Sequence, residues 1–172
     1  MLIRKANKGD AREIARVHVD SWRTTYTGII PDDFLRNLSY ENRTALWENN
    51  TGLHDVYVAE TNSLEIVGFA AGGRRRTDKY EAYPGELYAI YIMKEFQGKG
   101  IGKQLVQPVV ENLLKEEIDS MIVLVIEDNP SKYFYEALGA RKIDAIKVKI
   151  SGVDLTELVY AWDALHISFK KE

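Results

Sequence analysis

The sequence predicts a mixed α/β fold. Segments with the two-residue period of strands and segments with the 3.6-residue period of helices alternate at short intervals along the chain. No repeat, low-complexity tract or Pro- or Ser-rich linker divides it, and 172 residues, 45% of them hydrophobic, suffice for one well-buried core, so a single domain over residues 1–172 is expected. "LIRKA", at residues 2–6, alternates as a short strand. Asp10 and Glu13 are spaced as a capping box ahead of Ile14, Val17, His18 and Trp22, which stripe one face of a helix. Pro31 suits the first turn of a second helix, where its missing N–H would be unpaired anyway, and residues 39–49 continue helically behind their own cap, Ser39. Three strand-like runs follow at Asp55–Glu60, residues 65–73 and Gly85–Ile92, the first two joined by "TNSL" as a hairpin turn. Ile101, Leu105, Val109 and Leu113 then lie four apart on one helical face, interrupted by Pro108, which removes one backbone donor and predicts a bend. "MIVLVI" (Met121–Ile126) is almost wholly apolar, as for a strand covered on both faces. "PSKYFYEALGA" reads as a short helix with Pro130 in its first turn and Gly139 as its stop, and two alternating runs around "SGVD" make a terminal strand pair.

Composition narrows the chemistry. A net charge of −3 and a pI near 5.7 supply no global basic field for nucleic acid or an anionic membrane, and would not repel a cationic small molecule. The absence of cysteine excludes a disulfide framework, a thiolate nucleophile and Cys-ligated metal. His18, His54 and His166 share no metal-ligand spacing, so no metal is expected. The start, "MLIRKANKGD", is charged, and no run reaches the roughly 18 apolar residues of a membrane span, so the cytoplasm is the expected compartment.

The stretch "EFQGKGIGKQL" places Gly98, Gly100 and Gly102 on alternate positions directly ahead of a helix. A Walker A loop is excluded, because position 97, five ahead of Gly102-Lys103, is Gln, as is position 104. The dinucleotide pattern G-x-G-x-x-G also fails, since its third site falls on Lys103 or Leu105. What remains is Q-x-x-G-x-G between an apolar strand and an amphipathic helix. Unpaired N–H groups at a helix start, the helix dipole and missing side chains together make an anion site, and Lys99 and Lys103 add positive charge.

"ELYAIYIMKEFQGKGIGKQL" and, about thirty residues on, "NPSKYFYEALGA" resemble the central region of the Gcn5-related N-acetyltransferase (GNAT) superfamily. The resemblance is specific from about residue 85 to 140, and the flanking element order agrees over nearly the whole chain. "SWRTTYTGIIPDDFL" is similar to a widespread subgroup whose acceptors are mostly unassigned, and the glycine region is more loosely similar to bacterial polyamine acetyltransferases. The resemblance implies a mixed, mostly antiparallel sheet of about seven strands with helices on both faces, split between its central strands. It implies acetyl-CoA as co-substrate and acetyl transfer to a primary amine of a small molecule, a polyamine among the candidates, by direct attack. It also implies that backbone groups of Ile90, Ile92 and Met93 meet the acetyl-pantetheine arm, and that Gly98, Lys99, Gly100, Ile101, Gly102 and Lys103 surround the pyrophosphate. Asn129 matches the Asn that contacts the arm, and Tyr135 the general acid. A non-catalytic CoA-binding sensor and a protein N-terminal or lysine acetyltransferase are the alternatives, and the terminal strands leave a homodimer open.

Direct transfer needs an acceptor for the amine proton and a donor for the departing thiolate, and no enzyme nucleophile. An alkyl amine of pKa about 10.4 is neutral in roughly one molecule in 2,500 at pH 7, so removing its proton is the larger task. A phenol of pKa about 10 faces a thiol of about 8.5, an uphill transfer of about 2 kcal/mol in water, so Tyr135 is a hydrogen-bond donor first and an acid second, or else an aromatic packed on its helix. Glu86 is the base candidate, or a surface carboxylate on a strand end; Glu127 and Asp128 are weaker contenders. Trp22 and Tyr26, four apart, would wall an acceptor pocket or pack in the core. Arg74, Arg75 and Arg76 would meet an anion or lie in a solvated loop.

Overall fold

The computed structural model describes residues 1–170. Seven strands form one sheet in the order β1-β2-β3-β4-β5-β7-β6. They are β1 (Leu2–Lys5), β2 (Asp55–Glu60), β3 (Ile66–Arg74), β4 (Gly85–Ile92), β5 (Met121–Ile126), β6 (Arg141–Ile150) and β7 (Val153–Trp162). Every neighbouring pair is antiparallel except β4 with β5. The helices are α1 (Ala11–Thr25), α2 (Asp32–Arg36), α3 (Tyr40–Leu53), α4 (Ile101–Lys115), α5 (Ser131–Ala137) and α6 (Leu165–Ser168).

Two apolar layers hold the sheet. On one face, Leu105, Val106, Val109 and Val110 of α4 pack on Val67, Ala70, Leu87, Met121 and Val123. On the other, Ile14, Ala15 and Val17 of α1 and Trp47 of α3 cover Val56, Val58, Phe69 and Ala71. Each such Leu, Val or Met, wholly removed from water, contributes about 1.5–3 kcal/mol. α4 lies close to β3 because Gly72 has no side chain; a Cβ there would stand 2.5 Å from Val109 Cγ1.

Some local expectations change. The capping box sits one turn earlier than Asp10–Glu13: Asn7 Oδ1 accepts from Gly9 N at 2.8 Å, and Asp10 accepts from Asn7 N. Asp10 gives α1 no side-chain cap, because Arg4 of β1 binds its carboxylate at 2.8 and 2.9 Å and, with the Asn7 N–H, holds its pKa below the usual range. Ser39 caps α3 through Asn42 N, and that helix runs on to Leu53. As expected, α4 does not end at Pro108 but runs on to Lys115, whereas Pro130 stands at the N-cap of α5 and outside its first turn.

The feature that positions the site lies between β4 and β5. They pair only through Gly85, Glu86 and Leu87 opposite Met121, Ile122 and Val123; beyond that β4 stays with β3 and β5 with β7. At the point of parting β4 carries a bulge. Gly72 opposes Leu87 and Ala71 opposes Ala89, so Tyr88 has no partner on β3. An extra residue of this kind bends and twists its strand, which opens the sheet here.

Candidate active site

The gap between β4 and β5 is the middle of a continuous cleft. A throat of about 70 Å³ is lined by Tyr88–Ile92 of β4, Val123–Val125 of β5, and Gln97, Asn129 and Tyr135 among others. Through Ile90, Ile92, Gln97, Ser131 and Tyr135 it adjoins a cavity of about 420 Å³ under the start of α4. Through Tyr26, Tyr88, Tyr91, Leu124 and Val125 it adjoins a second cavity of about 540 Å³ on the α1 face. Both larger cavities have the size of small-molecule sites.

The first cavity is built by the glycine loop. Gly98 and Gly100 have φ of +73° and +76°, a left-handed conformation that L side chains resist, and Gly100 is the N-cap of α4. Gly102 is required for another reason: the Phe134 ring packs where a Cβ would be, 2.8 Å away. The turn leaves the N–H groups of Gly98, Lys99, Gly100, Ile101, Gly102 and Lys103 without a hydrogen-bond acceptor among the described residues. Such a set of converging donors fits a diphosphate. Gly98, Gly100, Ile101, Gly102 and Lys103 line the cavity, whereas Lys99 extends its Nζ over the Phe96 ring, 5.1 Å from the centroid.

The exposed edge of β4 lines the throat. Met93 N donates to Val67 O at 2.8 Å, so the antiparallel alternation turns Tyr91 to β3 and turns the backbone groups of Ile90 and Ile92 toward the gap. Ile92 O is taken by Gln97 Nε2 at 2.9 Å, which leaves Ile92 N–H and both groups of Ile90 for an extended ligand. Met93, expected at the same arm, is engaged elsewhere: its N–H goes to Val67 and its C=O accepts from Phe96 N at 2.9 Å, and it lines none of the three cavities.

Tyr135 and Asn129 stand across the throat from β4. Tyr135 is 5% exposed, lines both the throat and the cavity under the start of α4, and its hydroxyl makes no hydrogen bond among the described residues. Burial pushes the phenol well above its ordinary pKa, so it stays protonated as a donor. Asn129, also buried, accepts from Ser131 N at 2.9 Å through Oδ1 and donates from Nδ2 to the Tyr26 hydroxyl at 3.2 Å.

Trp22 and Tyr26 wall the second cavity, their ring centroids 4.7 Å apart. Glu86 lines it too, but is 3% exposed and accepts from Arg76 N at 3.0 Å and Arg76 Nη2 at 2.8 Å. The same guanidinium lies 4.1 Å over the Tyr88 ring. The arginine run thus divides: Arg74 pairs with Glu116, Arg75 binds the carbonyls of Thr77 and Tyr80, and Arg76 enters the cleft. Sequence reasoning missed Gln97, Tyr91 and Glu157. Gln97 had a signal, as the first residue of Q-x-x-G-x-G, while Glu157 had none beyond the alternation of its strand.

Comparison with known proteins agrees with this architecture. The FR47-like protein family matches residues 73–148, from the end of β3 into β6. A curated relative, the "Uncharacterized N-acetyltransferase YuaI" of Bacillus subtilis (strain 168), is 42% identical over 163 residues, which is 95% of this chain and 93% of that protein. Among solved structures, a ribosomal-protein-alanine N-acetyltransferase from Brucella melitensis superposes with a TM-score of 0.72 at 23% identity, over 94% of this chain and 99% of the other. A GNAT superfamily phosphinothricin acetyltransferase from Sinorhizobium meliloti, in complex with AcCoA, gives 0.69 at 22% identity, over 94% and 86%. The two structures share the fold, the Bacillus relative shares sequence along almost the entire length, and the chain belongs to the GNAT superfamily of N-acetyltransferases.

Proposed function

We propose that this N-acetyltransferase moves an acetyl group from acetyl-CoA to a primary amine of a small, cationic molecule by direct attack. One observation carries the reading: a narrow throat, lined by a hydrogen-bond-competent strand edge and the protonated Tyr135, joins a cavity with unpaired N–H donors to a cavity with aromatic and acidic walls. The donor would place its diphosphate on the N–H groups of residues 98–103 and its arm along Ile90 and Ile92, with Asn129 opposite. Acetyl-CoA supplies the activated thioester. The chain's residues do the rest: the β4 edge orients the carbonyl, Trp22 and Tyr26 bound the space open to the amine, and Tyr135 donates a hydrogen bond where thiolate charge develops. Because burial raises the Tyr135 pKa, its contribution is that hydrogen bond more than a full proton transfer.

The test is thermal denaturation with acetyl-CoA together with a free-thiol assay over chemically diverse amines. At a hundredfold excess over Kd the ligand adds about 2.7 kcal/mol, a rise of about 5–10 °C for a chain of this size. Thiol release that depends on an added small amine is the expected result. No shift at millimolar acetyl-CoA defeats the reading. A shift without thiol release for any small amine favours a CoA sensor, and release only with peptides favours a protein acetyltransferase.

A further inference from the structure

Two carboxylates face the acceptor cavity, and they are not equivalent. Glu86 has both oxygens occupied by Arg76, and its side chain is 4% exposed. It also sits in the zippered part of the β4–β5 pair, opposite Ile122. Glu157 comes from β7, opposite Ile126 at the far end of β5, and lines the cavity with Trp22, Tyr26, Tyr91 and Leu124. Among the described residues its side chain forms no hydrogen bond and no ion pair, although it is half-buried. Lys147 of the neighbouring β6 is no counter-ion, since its Nζ is bound to Thr156 Oγ1 at 2.7 Å. With Arg76 neutralising Glu86, the cavity keeps one uncompensated negative charge. It lies among aromatic rings that themselves favour a cation.

We propose that Glu157 is the carboxylate that receives the acceptor's ammonium group and takes its proton, and that Glu86 is a positioning residue that holds Arg76 as a wall of the cavity. This rests on the amine-acetylating reading above. The ammonium gives one proton to a Glu157 oxygen, which passes it to solvent through the open cavity. The freed nitrogen lone pair forms the bond to the thioester carbonyl carbon while the C–S bond breaks. The second nitrogen proton ends on the departing sulfur, which Tyr135 meets with its hydroxyl. Burial first, and then the charge of Glu86, raise the Glu157 carboxyl above the ordinary glutamate range, which suits a base better than an exposed carboxylate. The other ionisable groups facing it are Glu86, Tyr88 and Tyr91 of β4, Arg76 and Tyr80 of the β3–β4 loop, and Tyr26 at the end of α1, whose phenol, raised chiefly by burial, feels its charge.

Steady-state kinetics of Glu157→Gln and Glu86→Gln, each with acetyl-CoA-dependent thermal shift measured on the same sample, tests the assignment. Glu157→Gln is expected to lower kcat/KM for the amine about 100-fold or more, as loss of a general base does, to leave the acetyl-CoA KM within about twofold, and to remove the acidic limb of the pH profile. Glu86→Gln is expected to raise the amine KM with kcat largely kept and the acidic limb retained. Wild-type kcat/KM in Glu157→Gln, or an acidic limb that persists there, overturns the proposal. A readout independent of acetyl-CoA separates this failure from that of the broader reading: intrinsic fluorescence titrated with 1,4-diaminobutane. Wild type is expected to show a saturable change at millimolar concentration that Glu157→Gln weakens at least tenfold. No change in wild type, or equal changes in both, overturns it even if acetyl-CoA binds.

Discussion

The end of the cleft proposed for the phosphates is lined by residues between 90 and 103 together with Pro130, Ser131, Phe134 and Tyr135, and offers the unpaired main-chain N–H groups of a turn with two left-handed glycines. The end proposed for the acceptor takes Trp22 from α1, Tyr26 from the cap that ends it, Arg76 from a loop, Glu86 from β4 and Glu157 from β7, and presents their side chains. A backbone site depends on conformation and is disrupted by any residue that forbids the turn. A side-chain site depends on identity and changes its ligand with each substitution. The two ends should therefore fail differently.

The largest effect is expected where they meet. Tyr135→Phe removes the hydroxyl from the throat and nothing from either cavity wall, so kcat should fall about 100-fold, about 2.7 kcal/mol, with acetyl-CoA binding unchanged by thermal shift. Turnover at the wild-type rate would show that the throat needs no donor.

Next comes acid stability, which separates the ends through a group outside the chemistry. His18 of α1 is buried, accepts from Trp47 Nε1 at 3.1 Å through Nδ1, and stacks on Tyr91 with centroids 5.1 Å apart. Burial, then the Arg43 charge, pull its pKa from 6.5 to about 3. Since the folded value is the lower one, the unfolded chain protonates first. Stability is therefore full above about pH 6.5 and declines toward pH 3 by about 1.4 kcal/mol per unit, about 2 kcal/mol by pH 5. Melting temperatures at pH 7, 6 and 5 should show the decline in wild type and a flatter one in His18→Gln.

At the phosphate end, Gly102→Ala places a methyl group in contact with the Phe134 ring, at 2.8 Å, where the ring floors the cavity. The acetyl-CoA KM should rise about tenfold, about 1.4 kcal/mol, with the amine KM unmoved. A change confined to the amine KM would contradict the division of the cleft. The smallest effect is expected for Tyr26→Phe, which loses one hydrogen bond worth about 1 kcal/mol to Asn129. Because that bond ties the acceptor wall to the throat, both Michaelis constants should rise, each by less than about fivefold.

The same contrast explains what could be read in advance. Strands β2, β4 and β5 were legible to the residue, because period and composition act locally, and so was the turn ahead of α4, whose glycines lie on alternate positions. The role of Asp10 was not, since Arg4 on β1 outbids the helix start for its carboxylate, a contact that exists only once β1 is laid beside α1. The engagement of Met93 with Val67 and Phe96 was not legible either, because the strand's hydrogen-bond parity depends on the partner β3. Glu157 was read only as one alternation in a terminal strand. Its meaning arises when β7 inserts between β5 and β6, which no local pattern announces.

The bulge at Tyr88 acts as a phase shifter. Glu86 and Tyr91 are five positions apart, so in an unbroken strand their side chains would point to opposite sides; the additional residue reverses the alternation and brings both into the same cavity. Upstream of it, strand parity is fixed by pairing with both β3 and β5, and downstream by pairing with β3 alone. Deleting Tyr88 would leave positions 89–92 opposite the same β3 residues and on the same faces, but would remove the extra residue that bends β4 away from β5. Natural variants of this chain are therefore expected to vary in the identity of residue 88 far more readily than in its presence.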